Sequence, residues 1–99
     1  MFSQEELIKN LELLPDWSVR DGKMYARFTM SDFLTAMEFV NKVAFEAEGM
    51  NHHPTYTHSY LSIEFYLSTH DAGGTITSLD FKLASKISEA LRSNLKSSY

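Results

Sequence analysis

The chain has 99 residues, a mass of 11.4 kDa, 43% hydrophobic and 13% aromatic residues, and a net charge of −4 with a pI near 5.4. That size predicts one folded domain over residues 1–99, with a core but no deep enclosed cavity, so a site belongs in a surface cleft or is completed by another subunit. The acidic balance argues against a nucleic-acid footprint, the absence of cysteine excludes disulfides and thiolate metal ligands, and no apolar run approaches membrane-spanning length.

The opening MFSQEELIKN carries no basic region followed by an apolar run, so a cytoplasmic protein is expected. Ser3-x-x-Glu6 is a capping box, and Leu7, Ile8, Leu11 and Leu14 predict a first helix ending before Pro15. Trp17 to Arg20, Asp21-Gly22 and Lys23 to Phe28 predict a hairpin, because Asp-Gly suits a type I′ turn. Ser31 is the expected cap of a second helix reaching Glu48, with Phe33, Met37, Val40, Ala44 and Ala47 inward and Gly49 as its stop.

Thr55 to Thr69 predicts two extended segments with a bend near Ser59-Tyr60. In the second, Leu61, Ile63, Phe65 and Leu67 alternate with Ser62, Glu64, Tyr66 and Ser68. Ala72-Gly73-Gly74 is a loop, and Thr77 or Ser78 caps a third helix facing inward through Phe81, Ala84, Ile87, Leu91 and Leu95. The order α-β-β-α-β-β-α predicts an α+β domain, a four-stranded antiparallel sheet with three helices packed on one face. The other sheet face carries aromatic or apolar residues (Tyr25 and Tyr66, with Phe28 or Met24 according to register), which favours self-association. Lys82, Lys86, Arg92 and Lys96 on the last helix form a solvated face.

The informative segment is Glu48 to Pro54, with Asn51, His52 and His53 before the proline, and His70-Asp71 downstream. If the third and fourth strands pair, His52 and His53 meet His70 at one end of the sheet, with Asp80 close behind. Three readings of these residues stand: a turn stiffened by Pro54, a zinc site, or acid–base chemistry by imidazoles. Two consecutive histidines rarely aim at one ion, which weighs against zinc. His58 lies within the strand pattern and is expected at the surface or an interface. Thr77-x-x-Asp80 is also close to a capping box, so Asp80 has a structural role available to it.

The set Glu48, His52-His53-Pro54, an aromatic at Tyr56 or Tyr60, Ser68-Thr69-His70 and Asp80 resembles the pterin-4a-carbinolamine dehydratase family. Leu14-Pro15-x-Trp17 and Leu83-Ala84-Ser85 extend the resemblance over essentially the whole chain. It implies dehydration of 4a-hydroxytetrahydropterin to quinonoid dihydropterin without metal or organic cofactor. It implies His53 and His70 as proton donor and acceptor, His52 and Glu48 on the substrate, Asp80 orienting a histidine, and Asn51, Ser68, Thr69 and Asp71 lining the pterin. It further implies homodimers or homotetramers, and, as the alternative role, a dimerisation partner for a transcription factor with a nuclear pool. Asn51 and Asp71 depart from the Asp and Glu of some relatives, and the His70-to-Asp80 loop is about one residue longer.

Overall fold

Residues 2–97 are described by a computed structural model, with side chains through Ser93. Helix α1, Gln4–Glu12, is too short to be stable alone and relies on its ends and its docking. Ser3 Oγ accepts the Glu6 N–H at 3.2 Å while Glu6 accepts the Ser3 N–H at 3.0 Å, and these bonds hold the Glu6 carboxyl below its ordinary range. Leu7, Leu11 and Leu14 rest against the core, whereas Ile8 is exposed.

Strands β1, Ser18–Arg20, and β2, Lys23–Thr29, pair across Asp21-Gly22, whose φ values of 54° and 74° are the two positive angles that a type I′ turn requires. Strands β3, Thr55–Ser59, and β4, Ser62–Leu67, form the second hairpin. Its turn is Tyr60-Leu61, with Tyr60 at φ 51°, so Leu61 belongs to the turn and not to the strand. The sheet is antiparallel in the order β1-β2-β4-β3. Register settles the two faces: Met24, Ala26 and Phe28 with Ile63, Phe65 and Leu67 are buried, while Tyr25 and Tyr66 lie on the opposite face. There Tyr25 donates to Glu64 at 2.6 Å, which keeps its phenol protonated above the ordinary tyrosine range.

Helix α2, Phe33–Met50, and helix α3, Ser78–Ser97, pack on the buried face and on each other. The fold is thus α+β in the expected order. Trp17, Phe28, Phe39 and Phe65 form a connected aromatic cluster at its centre. Trp17 Nε1 donates to Ser88 Oγ on α3 at 2.9 Å, and Ser88 donates to Asp16 at 3.2 Å. On α3, Leu83, Ala84, Ile87 and Ser88 are buried, with Phe81 and Leu91 partly so; the side chains of Leu95 and Lys96 lie outside the described residues.

Three expectations for α2 are corrected. Its N-cap is Asp32, not Ser31, because the Asp32 carboxylate accepts the Thr35 N–H at 2.7 Å; that bond lowers the Asp32 pKa from its usual value. Its buried face is Ala36, Phe39, Val43 and Ala47, while Phe33, Met37 and Ala44 are exposed. The helix carries two apolar stripes, and the one with bulky Phe39 between small alanines fits closely against the sheet. Finally, Gly49 is inside the helix and the stop is Asn51, in the left-handed region at φ 50°.

Asn51 N–H bonds to the Glu48 carbonyl and His52 N–H to the Ala47 carbonyl, both at 3.0 Å, which is a Schellman ending with asparagine in the usual glycine place. A Cβ added at Gly49 meets nothing within 4 Å. Gly49→Ala is therefore expected to stabilise the protein by about 0.5–1 kcal/mol. Asn51→Ala is expected to destabilise it by about 1 kcal/mol, since alanine tolerates the left-handed region less well. Urea unfolding of both variants checks this, and a loss of stability in Gly49→Ala would contradict the assignment of the stop.

Candidate active site

The Schellman ending sends the chain from α2 back toward the sheet and fixes where the two histidines go. His52 is buried, and its Nε2 lies 2.7 Å from Asp80 Oδ1. His53 is exposed, with Nε2 2.7 Å from Glu48 Oε1, one turn back on α2. Pro54 then leads into β3, which pairs with β4 from Thr55↔Tyr66 onward. Extending that register sets His53 abreast of Ser68 and His52 abreast of Thr69, so the end of β4 runs past both imidazoles.

Beyond β4 the chain makes a tight loop. Thr69 bridges to Thr75, and the Thr69 carbonyl accepts the Gly74 N–H at 3.0 Å, with Gly73 and Gly74 at φ 75° and 79° to close the turn. His70 opens the short 3-10 turn His70–Ala72 within this loop. Its imidazole is exposed and has no hydrogen-bond partner among the described residues. Asp71 and Asn51 are likewise exposed, and Ser68 is half-buried.

Asp80 is the fixed point. Its carboxylate is fully buried in the first turn of α3, a favourable place for negative charge. Oδ1 faces His52; Oδ2 accepts from Thr69 Oγ1 at 2.8 Å and from the Thr77 N–H at 2.9 Å. Every lone-pair direction in use is met by a donor, as a buried carboxylate requires. Thr77, not Ser78, supplies the capping oxygen, accepting the Leu79 N–H at 3.3 Å.

Beside His53 and Glu48 opens a cleft of about 360 Å³ lined mainly by apolar groups, among them Val40, Ala44 and Ala47 of α2 and Pro54, Tyr56 and Phe65 of the sheet. A larger cavity of about 440 Å³ lies between α2 and α3 around Lys42, Phe45, Glu46 and Lys86, but it has no histidine on its walls. The Nε2 atoms of His52 and His53 face different carboxylates. Among the described residues no three His, Asp or Glu side chains gather as a metal-binding set.

Residues 1–90 match the family model described as pterin 4 alpha carbinolamine dehydratase. The chain belongs to this family. A dehydratase relative from Prochlorococcus marinus is 40% identical over 87 residues, covering 88% of this chain and 90% of that protein. One from a Picosynechococcus species is 43% identical over 79 residues, covering 80% and 85%. Both bear the name pterin-4-alpha-carbinolamine dehydratase provisionally. The crystal structure of a transcriptional coactivator/pterin dehydratase from Brucella melitensis superposes with a TM-score of 0.84 at 31% identity, covering 90% of this chain and 96% of that one. A pterin dehydratase-like protein identified as a RuBisCO assembly factor in the alpha-carboxysome shares the fold, with a TM-score of 0.62 at 12% identity.

Within the dehydratase pattern, two aromatic positions were open in the sequence. The structure places Tyr56 in the cleft beside His53 and Tyr60 in the hairpin turn at the far end of β3, largely exposed. Tyr56 pairs with buried Phe65 and so faces inward, whereas the bend near Ser59-Tyr60 takes Tyr60 out of the strand, and that bend was the available signal. His58, also inward, stacks on Phe33 with ring centroids 5.5 Å apart and bonds the Tyr60 carbonyl at 2.8 Å, which commits it to packing. The apolar wall contributed by α2 comes largely from the stripe expected to face inward, Val40, Ala44 and Ala47, with Val43 of the buried stripe beside them. The Thr69 side chain is buried, and its hydroxyl donates to Asp80.

Proposed function

We propose that the protein dehydrates a 4a-hydroxytetrahydropterin to the quinonoid dihydropterin, a hydro-lyase reaction run by imidazoles. The N5 lone pair of the pterin expels the C4a hydroxyl, which leaves as water after taking one proton. The ring then loses the proton on N5, and a C4a=N5 double bond results. One proton is delivered and one removed, so two groups able to hold or release a proton near neutral pH suffice.

The observation that carries this reading is the pairing of exposed and anchored histidines at one end of the sheet. His53 and His70 are solvent-reachable and free to exchange protons with water between turnovers, and are assigned as the proton-transfer pair. His52, held by buried Asp80, is assigned to binding; Glu48, Asn51, Ser68 and Asp71 surround the same rim. Family membership supports the substrate class. The location proposed is the cytoplasm, and among the described residues no helix is long and apolar enough to cross a membrane.

A second reading has support of its own. The Brucella neighbour bears a coactivator name, and α2 exposes Phe33, Leu34 and Phe45, a surface suited to a second copy or to a protein partner such as a transcription factor. One experiment separates the two. When 4a-hydroxytetrahydropterin is generated in situ and its decay followed by ultraviolet absorbance, catalytic amounts of the protein are expected to accelerate water loss at least about tenfold. No acceleration at any pH between 6 and 8 would leave the binding role as the function.

A further inference from the structure

The hydrogen bonds around Asp80 have only one consistent direction. A buried carboxylate with three donors on it is an acceptor at every contact, so the Thr69 hydroxyl proton points at Oδ2. Thr69 Oγ1 and Thr77 Oγ1 are 2.5 Å apart, and since the Thr69 proton is already used, Thr77 must be the donor there. Thr77 Oγ1 in turn accepts the Leu79 N–H, and its own backbone N–H reaches Oδ2. The chain therefore runs from Leu79 N–H to the Thr77 hydroxyl, to the Thr69 hydroxyl, to Asp80. At the other oxygen the same rule applies: His52 Nε2 must carry the proton it shares with Oδ1.

We infer that Thr77, acting through Thr69 and Asp80, is a positioning residue that fixes His52 as the Nε2–H tautomer, so that His52 meets the substrate through Nδ1 as a hydrogen-bond acceptor. His52 Nδ1 has no partner among the described residues, which leaves it the one ring nitrogen available. The substrate group that binds there is accordingly an N–H donor of the pterin, a ring N–H or the amino group, and not its carbonyl oxygen. This inference rests on the proposed pterin dehydration for the identity of the substrate, but the tautomer stands apart from it.

The test uses the full-length protein with ¹⁵N-labelled histidine. Two-bond ¹H–¹⁵N spectra are expected to show His52 with a protonated Nε2 and a bare Nδ1. Thr69→Val, which removes the hydroxyl from Oδ2, and Thr77→Val, which removes its donor, are expected to shift the His52 ring nitrogens. They are also expected to raise KM for the pterin about tenfold, the cost of one misdirected hydrogen bond, with kcat within about twofold. Thr69→Ser and Thr77→Ser keep the hydroxyls and are expected to restore both readouts. Wild-type His52 protonated on Nδ1 overturns the inference, as do valine variants that lose thermal stability yet keep the wild-type ring signals and KM. If a valine variant does not fold, the wild-type tautomer and the serine variants decide. Absence of activity with the expected tautomer present would defeat the proposed function and leave the lock standing.

Discussion

Asp80→Asn is expected to give a folded protein whose kcat/KM is lower by about a hundredfold to a thousandfold, as befits an imidazole held in the wrong tautomer. The reason is the unequal demand on the two oxygens. Two donors, the Thr69 hydroxyl and the Thr77 N–H, converge on Oδ2, whereas His52 alone faces Oδ1 and can rearrange. The asparagine oxygen therefore takes the Oδ2 place and its NH₂ turns to His52. The imidazole must then accept at Nε2 and carry its proton on Nδ1, presenting a donor where the substrate also presents one. Asp80→Ala differs, because it strands three buried donors and is expected to lower stability by about 3 kcal/mol. Circular dichroism melts and steady-state kinetics on both variants distinguish the effects. An Asp80→Asn enzyme with near wild-type kcat/KM would show that the His52 tautomer does not matter to the reaction.

His53→Ala and His70→Ala are each expected to reduce kcat by about 10²–10⁴-fold while leaving the fold intact. Both imidazoles are exposed, so neither removal opens a cavity. The His53–Glu48 pair, at 56% and 79% side-chain exposure, contributes at most about 1 kcal/mol, since water screens the pair and competes for both partners. The expected signature is thus loss of turnover with an unchanged urea midpoint. Glu48→Gln keeps a carbonyl acceptor for His53 Nε2–H and is expected to cost far less than His53→Ala. The acid–base assignment fails if either alanine variant retains full kcat, and added imidazole restoring turnover to one of them would strengthen it.

Much of the architecture was legible because the relevant signals are local. Asp21-Gly22, the alternation from Ser62 to Leu67 and the Ser3–Glu6 box each encode their geometry within a few residues, and the structure has each in place. The course of α2 was less legible for a physical reason: a helix with two apolar stripes does not reveal which one its neighbours will cover. That choice depends on Phe39 meeting Phe28 and Phe65, contacts made only after the sheet forms. Likewise, Gly49 is the more obvious helix stop by residue type, but Asn51 takes the left-handed position two residues later. At the candidate site, strand pairing could be foreseen to carry His52 and His53 toward Thr69 and His70. The partner of each imidazole could not, because adjacent residues were free to face either Glu48 or Asp80.

Helix α3 has a consequence of its own. Asp80 in its first turn is tied to His52 and Thr69, and Ser88, two turns on, is tied to Trp17 and Asp16. Eight residues along a helix span about 12 Å, so the rod is pinned at two separated points, one on the segments that flank β3 and β4 and one on the segment that leads into β1. A rod pinned twice can neither roll about its axis nor slide along it. The segment from His70 to Thr75 is thereby relieved of any duty to aim the carboxylate, and its length is free to drift.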